Sequence, residues 1–301
     1  MKSLTSLRGM DEGLLVDLLD RADLHKKRLE SREQSGSELV GTRIATVFYE
    51  PSTRTRLSFE TAASNLGASV MTFTPETSSI SKGESLRDTM LTLVAMGSDL
   101  LVVRHGSRGA PELVAAWTGA PVINAGDGKG EHPTQALTDA LTLRRHFGSL
   151  RGLRMGIVGD VRNSRVARSL LWAMPTLGVD LTLVGPSPLL PVANPWAVSM
   201  ATDLDESLTG FDVVYLLRMQ TERSTGDGLA GLAGYTARYG LTRDRLGRLA
   251  PDAVIMHPGP INRGVEVGDE AADSPRSLIL EQVRNGVPVR MAVLEGCLAS
   301  G

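Results

Sequence analysis

Residues 48–59 read Phe-Tyr-Glu-Pro-Ser-Thr-Arg-Thr-Arg-Leu-Ser-Phe. An apolar β-type run, Ile44–Tyr49, ends there, and a helix-type pattern over Arg56–Leu66 begins. The junction carries three hydroxyls, Ser52, Thr53 and Thr55, and two guanidinium groups, Arg54 and Arg56. A helix start leaves backbone N–H groups without intrahelical partners and bears a partial positive charge. Hydroxyl donors and a planar five-donor cation placed on it make a site for a small, multiply charged oxyanion. A phosphate is the expected ligand, and a phosphorylated metabolite the expected substrate.

Outward from this junction, short apolar runs alternate with longer helical patterns. Ile44–Tyr49, Ser69–Phe73, Asp99–Val103 and Pro121–Asn124 read as strands in the first half. Arg154–Val158, Asp180–Val184, Asp212–Leu217 and Ala253–Met256 do so in the second. They are rich in Val, Ile and Leu and poor in strict alternation, the pattern of strands covered on both faces. Helical segments such as Arg56–Leu66, Thr134–Phe147 and Ser164–Leu177 lie between them. The expected fold is α/β: two tandem domains, each a parallel sheet flanked by helices. Gly, Asp and Pro cluster at Gly128–Pro133, which marks the break between domains. Leu14, Leu15, Leu18, Leu19 and Ala22 predict an opening amphipathic helix. Gly185–Pro195 reads as an irregular loop, and Ser277–Leu298 as helix interrupted at Gly286–Pro288 and packing back on the first domain.

Composition excludes several function classes. The chain has 301 residues, 42% hydrophobic and 22% charged, with a net charge of −2. Nothing here is basic enough to point to nucleic acid, so any anion site is a local concentration of Arg. The single cysteine, Cys297, rules out an internal disulfide and a Cys-rich metal site. Acidic residues at 11, 12, 17 and 20 break any secretory signal, and no apolar stretch is long enough to span a bilayer. A cytoplasmic protein is expected. Gly156-Ile-Val-Gly-Asp160 lacks the glycine spacing of a dinucleotide-binding turn, so no nicotinamide cofactor is expected.

In open α/β sheets ligands bind outside the carboxyl ends of strands. Polar clusters fall there repeatedly: Ser52–Arg56, Arg104-His105, Asn124–Gln135, Gly159–Arg165, Arg218–Arg223 and His257–Arg263. Six such turns are expected to converge on one cleft between the domains.

Three motifs now carry a family resemblance over nearly the whole chain. Ser52-Thr-Arg-Thr-Arg56, His132-Pro-Thr-Gln135 and His257-Pro-Gly-Pro260 resemble the signatures of the aspartate/ornithine transcarbamoylase family, in the right order. The His-Pro-Thr-Gln form, Leu217-Arg-Met-Gln-Thr-Glu-Arg223 and the ending Ile-Asn-Arg263 resemble its aspartate branch. The ornithine branch typically shows His-Pro-Cys-Gln, a Ser-Met-Gly loop and His-Cys-Leu-Pro, which this sequence lacks.

The resemblance implies transfer of a carbamoyl group from carbamoyl phosphate to the amino group of L-aspartate, giving N-carbamoyl-L-aspartate and phosphate, in pyrimidine biosynthesis. It implies a carbamoyl-phosphate domain over 1–132 with 287–301 and an aspartate domain over 133–286. The phosphate falls to Ser52, Thr53, Arg54, Thr55 and Arg104. Thr55, Arg104 and His132 become donors to the oxyanion. Gln135 and the carbonyls of Pro258 and Gly259 orient the carbamoyl amide. Arg165 and Arg218, with Gln220, hold the acceptor's two carboxylates; a second Arg would repel the extra ammonium of ornithine. Thr77-Ser-Ser-Ile-Ser-Lys-Gly-Glu84 matches a loop that the family donates from a neighbouring subunit, through Ser78 and Lys82, which implies a homotrimer with shared sites. Regulatory or dihydroorotase-type chains stay open as further partners. No metal or organic cofactor is implied. His25, His105 and His146 read as structural, and His257 as a brace for the Pro258–Pro260 turn.

Overall fold

The computed structural model describes residues 1–31, 36–74, 83–219 and 228–299. The chain forms two compact units, one of Met1–Leu141 with Val283–Gly301, the other of Thr142–Gln282. The first runs α1 (Glu12–Glu30), β1 (Arg43–Phe48), α2 (Thr53–Asn65), β2 (Ser69–Phe73), α3 (Leu86–Ala95), β3 (Leu100–His105), α4 (Ala110–Thr118), β4 (Val122–Asp127) and into α5 (Pro133–Phe147). The second continues with β5 (Arg154–Val158), α6 (Arg165–Thr176), β6 (Asp180–Val184), β7 (Ser199–Ala201), α7 (Leu204–Ser207), β8 (Val213–Leu216), α8 (Gly228–Tyr239), α9 (Arg243–Arg248), β9 (Val254–Met256) and α10 (Asp269–Ala272). The last helix, α11 (Ile279–Leu298), returns to the first unit. The units divide within α5 and α11, at 141/142 and 282/283.

Both sheets are parallel. The first is ordered β2-β1-β3-β4 and the second β7-β6-β5-β8-β9. Strands β1, β3, β4, β5 and β8 are almost wholly buried, as expected when helices cover both faces. In each sheet the order reverses at one place: between β1 and β3 in the first, between β5 and β8 in the second. Chains leaving neighbouring strands there turn to opposite faces, which opens a crevice at the carboxyl edge. The sequence therefore commits a ligand position in each sheet before any side chain is considered.

Two elements depart from the sequence expectation. Strand β7 has no counterpart among the expected strands; its residues are half-buried or exposed and it lies at the sheet edge, so it carries no apolar signature. The expected interruption at Gly286–Pro288 does not break α11, which contains Pro288. A proline in a helix interior costs about 3 kcal/mol, and burial of Val289, Met291, Ala292, Val293 and Leu294 in the following turns offsets it.

Helices α1 and α11 meet in the first unit. His25 and Glu295 pair at 3.1 Å, and Leu18 packs against Gly296. Cys297 is buried there, and burial pushes its thiol up to about 12. The thiolate is the reactive form. Iodoacetamide at pH 8 is therefore expected to leave the native protein unmodified and to alkylate it after urea denaturation, read by intact mass.

The amino-terminal segment covers the free edge of the first sheet. Leu4 bridges Ile123 in parallel fashion, with the Leu4 N–H on the Val122 carbonyl and the Asn124 N–H on the Leu4 carbonyl, both 2.9 Å. An open strand edge invites unwanted pairing, and this contact removes it.

Candidate active site

In the first unit the site begins at the switch between β1 and β3. Ser52 is the residue before α2, in extended conformation, and its side chain makes no capping bond among the described residues. The Arg56 N–H closes the first turn on the Ser52 carbonyl at 3.1 Å. The N–H groups of Thr53, Arg54 and Thr55 therefore precede the intrahelical ladder. Thr53 and Arg54 are exposed, Ser52 is half-buried and Thr55 is buried. Arg56 stands 3.9 Å from Glu60 and also lines the pocket at this helix start. A pocket of about 190 Å³ opens here, lined in part by Ser52, Thr53, Glu50 and Phe48.

Arg104 arrives from β3, whose register pairs it with Phe48 of β1. Its Nη1 donates to the Ala125 carbonyl at 3.3 Å, and its Nε stands 3.8 Å from Glu50. The side chain is only 12% exposed, so its charge acts in a medium that screens it poorly.

His132 follows β4 through a turn built on one buried carboxylate. Asp127 accepts from Gly109 N (2.7 Å), Asn124 Nδ2 (2.9 Å) and Glu131 N (2.6 Å). Gly128 makes the bend at φ +45°, where a Cβ would sit 2.3 Å from the Gly106 carbonyl oxygen. Glu131 is held in turn by the Ser6 hydroxyl and by the Leu7 N–H at 3.0 Å. His132 is thus delivered, 4% exposed, to the start of α5, where its carbonyl accepts from Gln135 N at 3.0 Å. Gln135 Nε2 donates to Asp139 at 2.9 Å. The amide nitrogen thus faces the carboxyl oxygen, and Oε1 is the acceptor end of the Gln135 side chain.

Sequence reasoning assigns no role to Asp127, Asp139 or Arg290. Arg290, on α11, is 4% exposed; it donates to Ser58 Oγ (3.0 Å) and the Gly286 carbonyl (2.8 Å) and lies over the Phe59 ring. It braces α2 one turn beyond Arg54. Burial pulls its guanidinium down to about 10, against the opposing charge of Asp139. The Asn-x-x-Asp spacing at 124–127 is a usable signal for the turn, since Asx side chains bond their own loops. No local pattern announces Arg290.

In the second unit Arg165 opens α6, behind the Ser164 cap whose Oγ accepts from Ala167 N at 3.1 Å. Arg218 leaves β8 and Pro258-Gly259 leave β9; Tyr215 and Met256 are register partners, so these turns issue side by side. Arg165 and Arg218 are both half-buried. His257 does brace its turn: its Nδ1 accepts from Gly259 N at 2.8 Å. Gly159, at φ +124°, lets the β5 turn pass Tyr235, whose hydroxyl a Cβ would meet at 2.9 Å. Ser78, Lys82 and Gln220 lie outside the described residues.

These sites suit binding and polarisation rather than covalent catalysis. Guanidinium groups, hydroxyls and helix-start N–H groups stand at the switch point of the first sheet, and two further guanidinium groups at that of the second. This combination fits an α/β protein that binds small anions at both switch points. Two family models match: aspartate/ornithine carbamoyltransferase, carbamoyl-P binding domain, over residues 2–145, and its Asp/Orn binding domain over 151–297. The chain belongs to the aspartate/ornithine carbamoyltransferase family. Its relatives include the aspartate carbamoyltransferase catalytic subunits of Chlorobium luteolum, 49% identical over 99% of this chain and 98% of that one, and of Thermobifida fusca, 51% identical over 94% and 90%. Among solved structures, aspartate transcarbamoylase from Trypanosoma cruzi with carbamoyl aspartate and phosphate superposes with a TM-score of 0.90 at 33% identity, covering 99% of this chain and 96% of that one. The catalytic subunit from M. jannaschii does so at 0.88 and 34%, covering 100% and 99%.

Proposed function

We propose that the chain transfers the carbamoyl group of carbamoyl phosphate to the α-amino group of L-aspartate, releasing phosphate, as the catalytic subunit of an aspartate carbamoyltransferase in pyrimidine biosynthesis. The observation that carries this reading is the start of α2, with its hydroxyls and Arg54, at the switch point that also receives Arg104. Ser52, Thr53, Arg54, Thr55 and Arg104 bind the phosphate by charge-assisted bonds. Thr55, Arg104 and His132 donate to the carbonyl oxygen as it gains charge. Gln135 Oε1 and the Pro258 and Gly259 carbonyls accept from the carbamoyl amide. Arg165, Arg218 and Gln220 take the carboxylates of aspartate, and Lys82 joins them in binding aspartate.

The amine attacks unprotonated, the new C–N bond forms, and the C–O bond to phosphate breaks with its electron pair going to phosphate. The leaving phosphate takes the amine proton, so no side chain need act as base. Rate then comes from alignment and fixed charge, where effective molarities reach about 10⁵ M or more.

Incubation with carbamoyl phosphate and, separately, L-aspartate, L-ornithine or an acylated ornithine tests the assignment. Carbamoyl aspartate is the expected product; turnover of ornithine without aspartate would reject it. The shared-site reading places Ser78 and Lys82 in a neighbour's site within a cytoplasmic homotrimer. Light scattering should then give three times the 32.1 kDa chain mass, and a monomer with full activity would rule it out.

A further inference from the structure

We infer that Glu266 is a positioning residue that ties the turn carrying Arg218 to the turn carrying Pro258 and Gly259, so that acceptor clamp and carbamoyl-orienting carbonyls hold one mutual geometry. The inference rests on the roles proposed above for Arg218, Pro258 and Gly259.

Glu266 and His257 are fully buried side chains, with Glu266 Oε1 3.3 Å from His257 Nε2. The same Oε1 accepts from Asn262 N at 2.5 Å, and Oε2 accepts from Met219 N at 3.5 Å. Asn262 Nδ2 closes the loop by donating to the Met219 carbonyl at 3.0 Å. On the other side of the ring, His257 Nδ1 accepts from Gly259 N at 2.8 Å. An imidazole nitrogen that accepts carries no proton, so the ring proton of the neutral form is on Nε2, the atom facing Glu266. The Gly259 N–H is thus bonded to His257, whose Nε2 lies 3.3 Å from Glu266, and the Met219 N–H meets the same carboxylate from the opposite side at 3.5 Å.

Each end fixes a peptide plane that matters. The N–H of Gly259 belongs to the peptide whose carbonyl is that of Pro258, and in a trans peptide the two point in opposite directions. Binding the N–H to His257 thus aims the Pro258 carbonyl. The Met219 N–H belongs to the peptide that follows Arg218, so Glu266 fixes the backbone from which that guanidinium reaches. A buried carboxylate–imidazole pair is a poor way to join two strand ends for stability alone, since apolar residues of equal volume serve as well or better. What the polar pair adds is direction.

Glu266→Gln keeps shape but presents an NH2 group. The new side-chain amide can then satisfy the backbone donors or the ring, and a ring that shifts its proton to Nδ1 loses Gly259. The expected result is a fall of about 10- to 100-fold in kcat/KM for aspartate. Affinity for inorganic phosphate, held by the first unit, should stay within about twofold. His257→Asn retains an acceptor for Gly259 N while removing the donor that faces Glu266. The double variant should lose no more than the worse single one, because the pair acts as a unit. Additive losses, or an equal fall in phosphate affinity, would overturn the inference. Wild-type turnover with aspartate is a separate arm that tests only the proposed reaction. Should that arm fail, amide exchange still decides: in the Glu266→Gln protein the Met219 and Gly259 amides should both exchange faster, and wild-type rates at both would overturn the tether.

Discussion

Arg54→Ala is expected to lower kcat/KM for carbamoyl phosphate by about 10²- to 10⁴-fold while leaving the fold intact. The side chain is exposed at the second position of α2, so its removal costs the packing little. Melting temperature should move by no more than about 2 °C. The large kinetic effect follows from the role proposed for Arg54: a guanidinium at the helix start where the leaving group becomes a free phosphate dianion. Bound ground state and transition state both carry that charge, but it grows as the C–O bond breaks. Loss is therefore expected in kcat as well as in KM. A variant with near-normal kcat and kcat/KM would show that the phosphate binds elsewhere.

Asp127→Ala is expected to act through stability. Three donors, Gly109 N, Asn124 Nδ2 and Glu131 N, would be left in a site that is 2% exposed. Removing a buried acceptor with this many partners should cost about 3–5 kcal/mol. A urea titration would show it as a lowered midpoint, with Asp127→Asn losing less because its amide oxygen still accepts. The turn leads directly into His132, so residual activity of the folded fraction should fall too. A stability loss below about 1 kcal/mol would mean that Gly128 and the amino-terminal segment hold the turn unaided.

Much of the architecture was legible in the sequence, and for one reason. Strands covered on both faces are rich in Val, Ile and Leu, so β1, β5, β6 and β8 announced themselves, and the polar turns after them marked the carboxyl edges. The phosphate turn was legible because hydroxyl and guanidinium groups interleave at a helix start. What stayed hidden was structure held by long-range partners. Strand β7 pairs with β6 through backbone groups and offers exposed side chains, so composition cannot reveal it. The continuity of α11 through Pro288 depends on packing contributed by helices remote in sequence. Glu266 looks like any loop glutamate until β8 and β9 lie side by side and bury it against His257. Arg290 and Asp139 are likewise defined by neighbours that sequence distance conceals.

The return of α11 to the first unit has a consequence for biogenesis. Residues 142–282 form the second unit as one uninterrupted stretch, whereas the first unit needs Val283 onward to be whole. During vectorial synthesis the earlier-emerging half therefore waits, without Arg290 against Ser58 and Phe59 and without Glu295 beside His25, until α11 has been made. The half made later can close first. Helix α2 thus gains its brace from Arg290 only after the whole second unit has been synthesised, so a chain cut short before α11 would carry α2 unsupported.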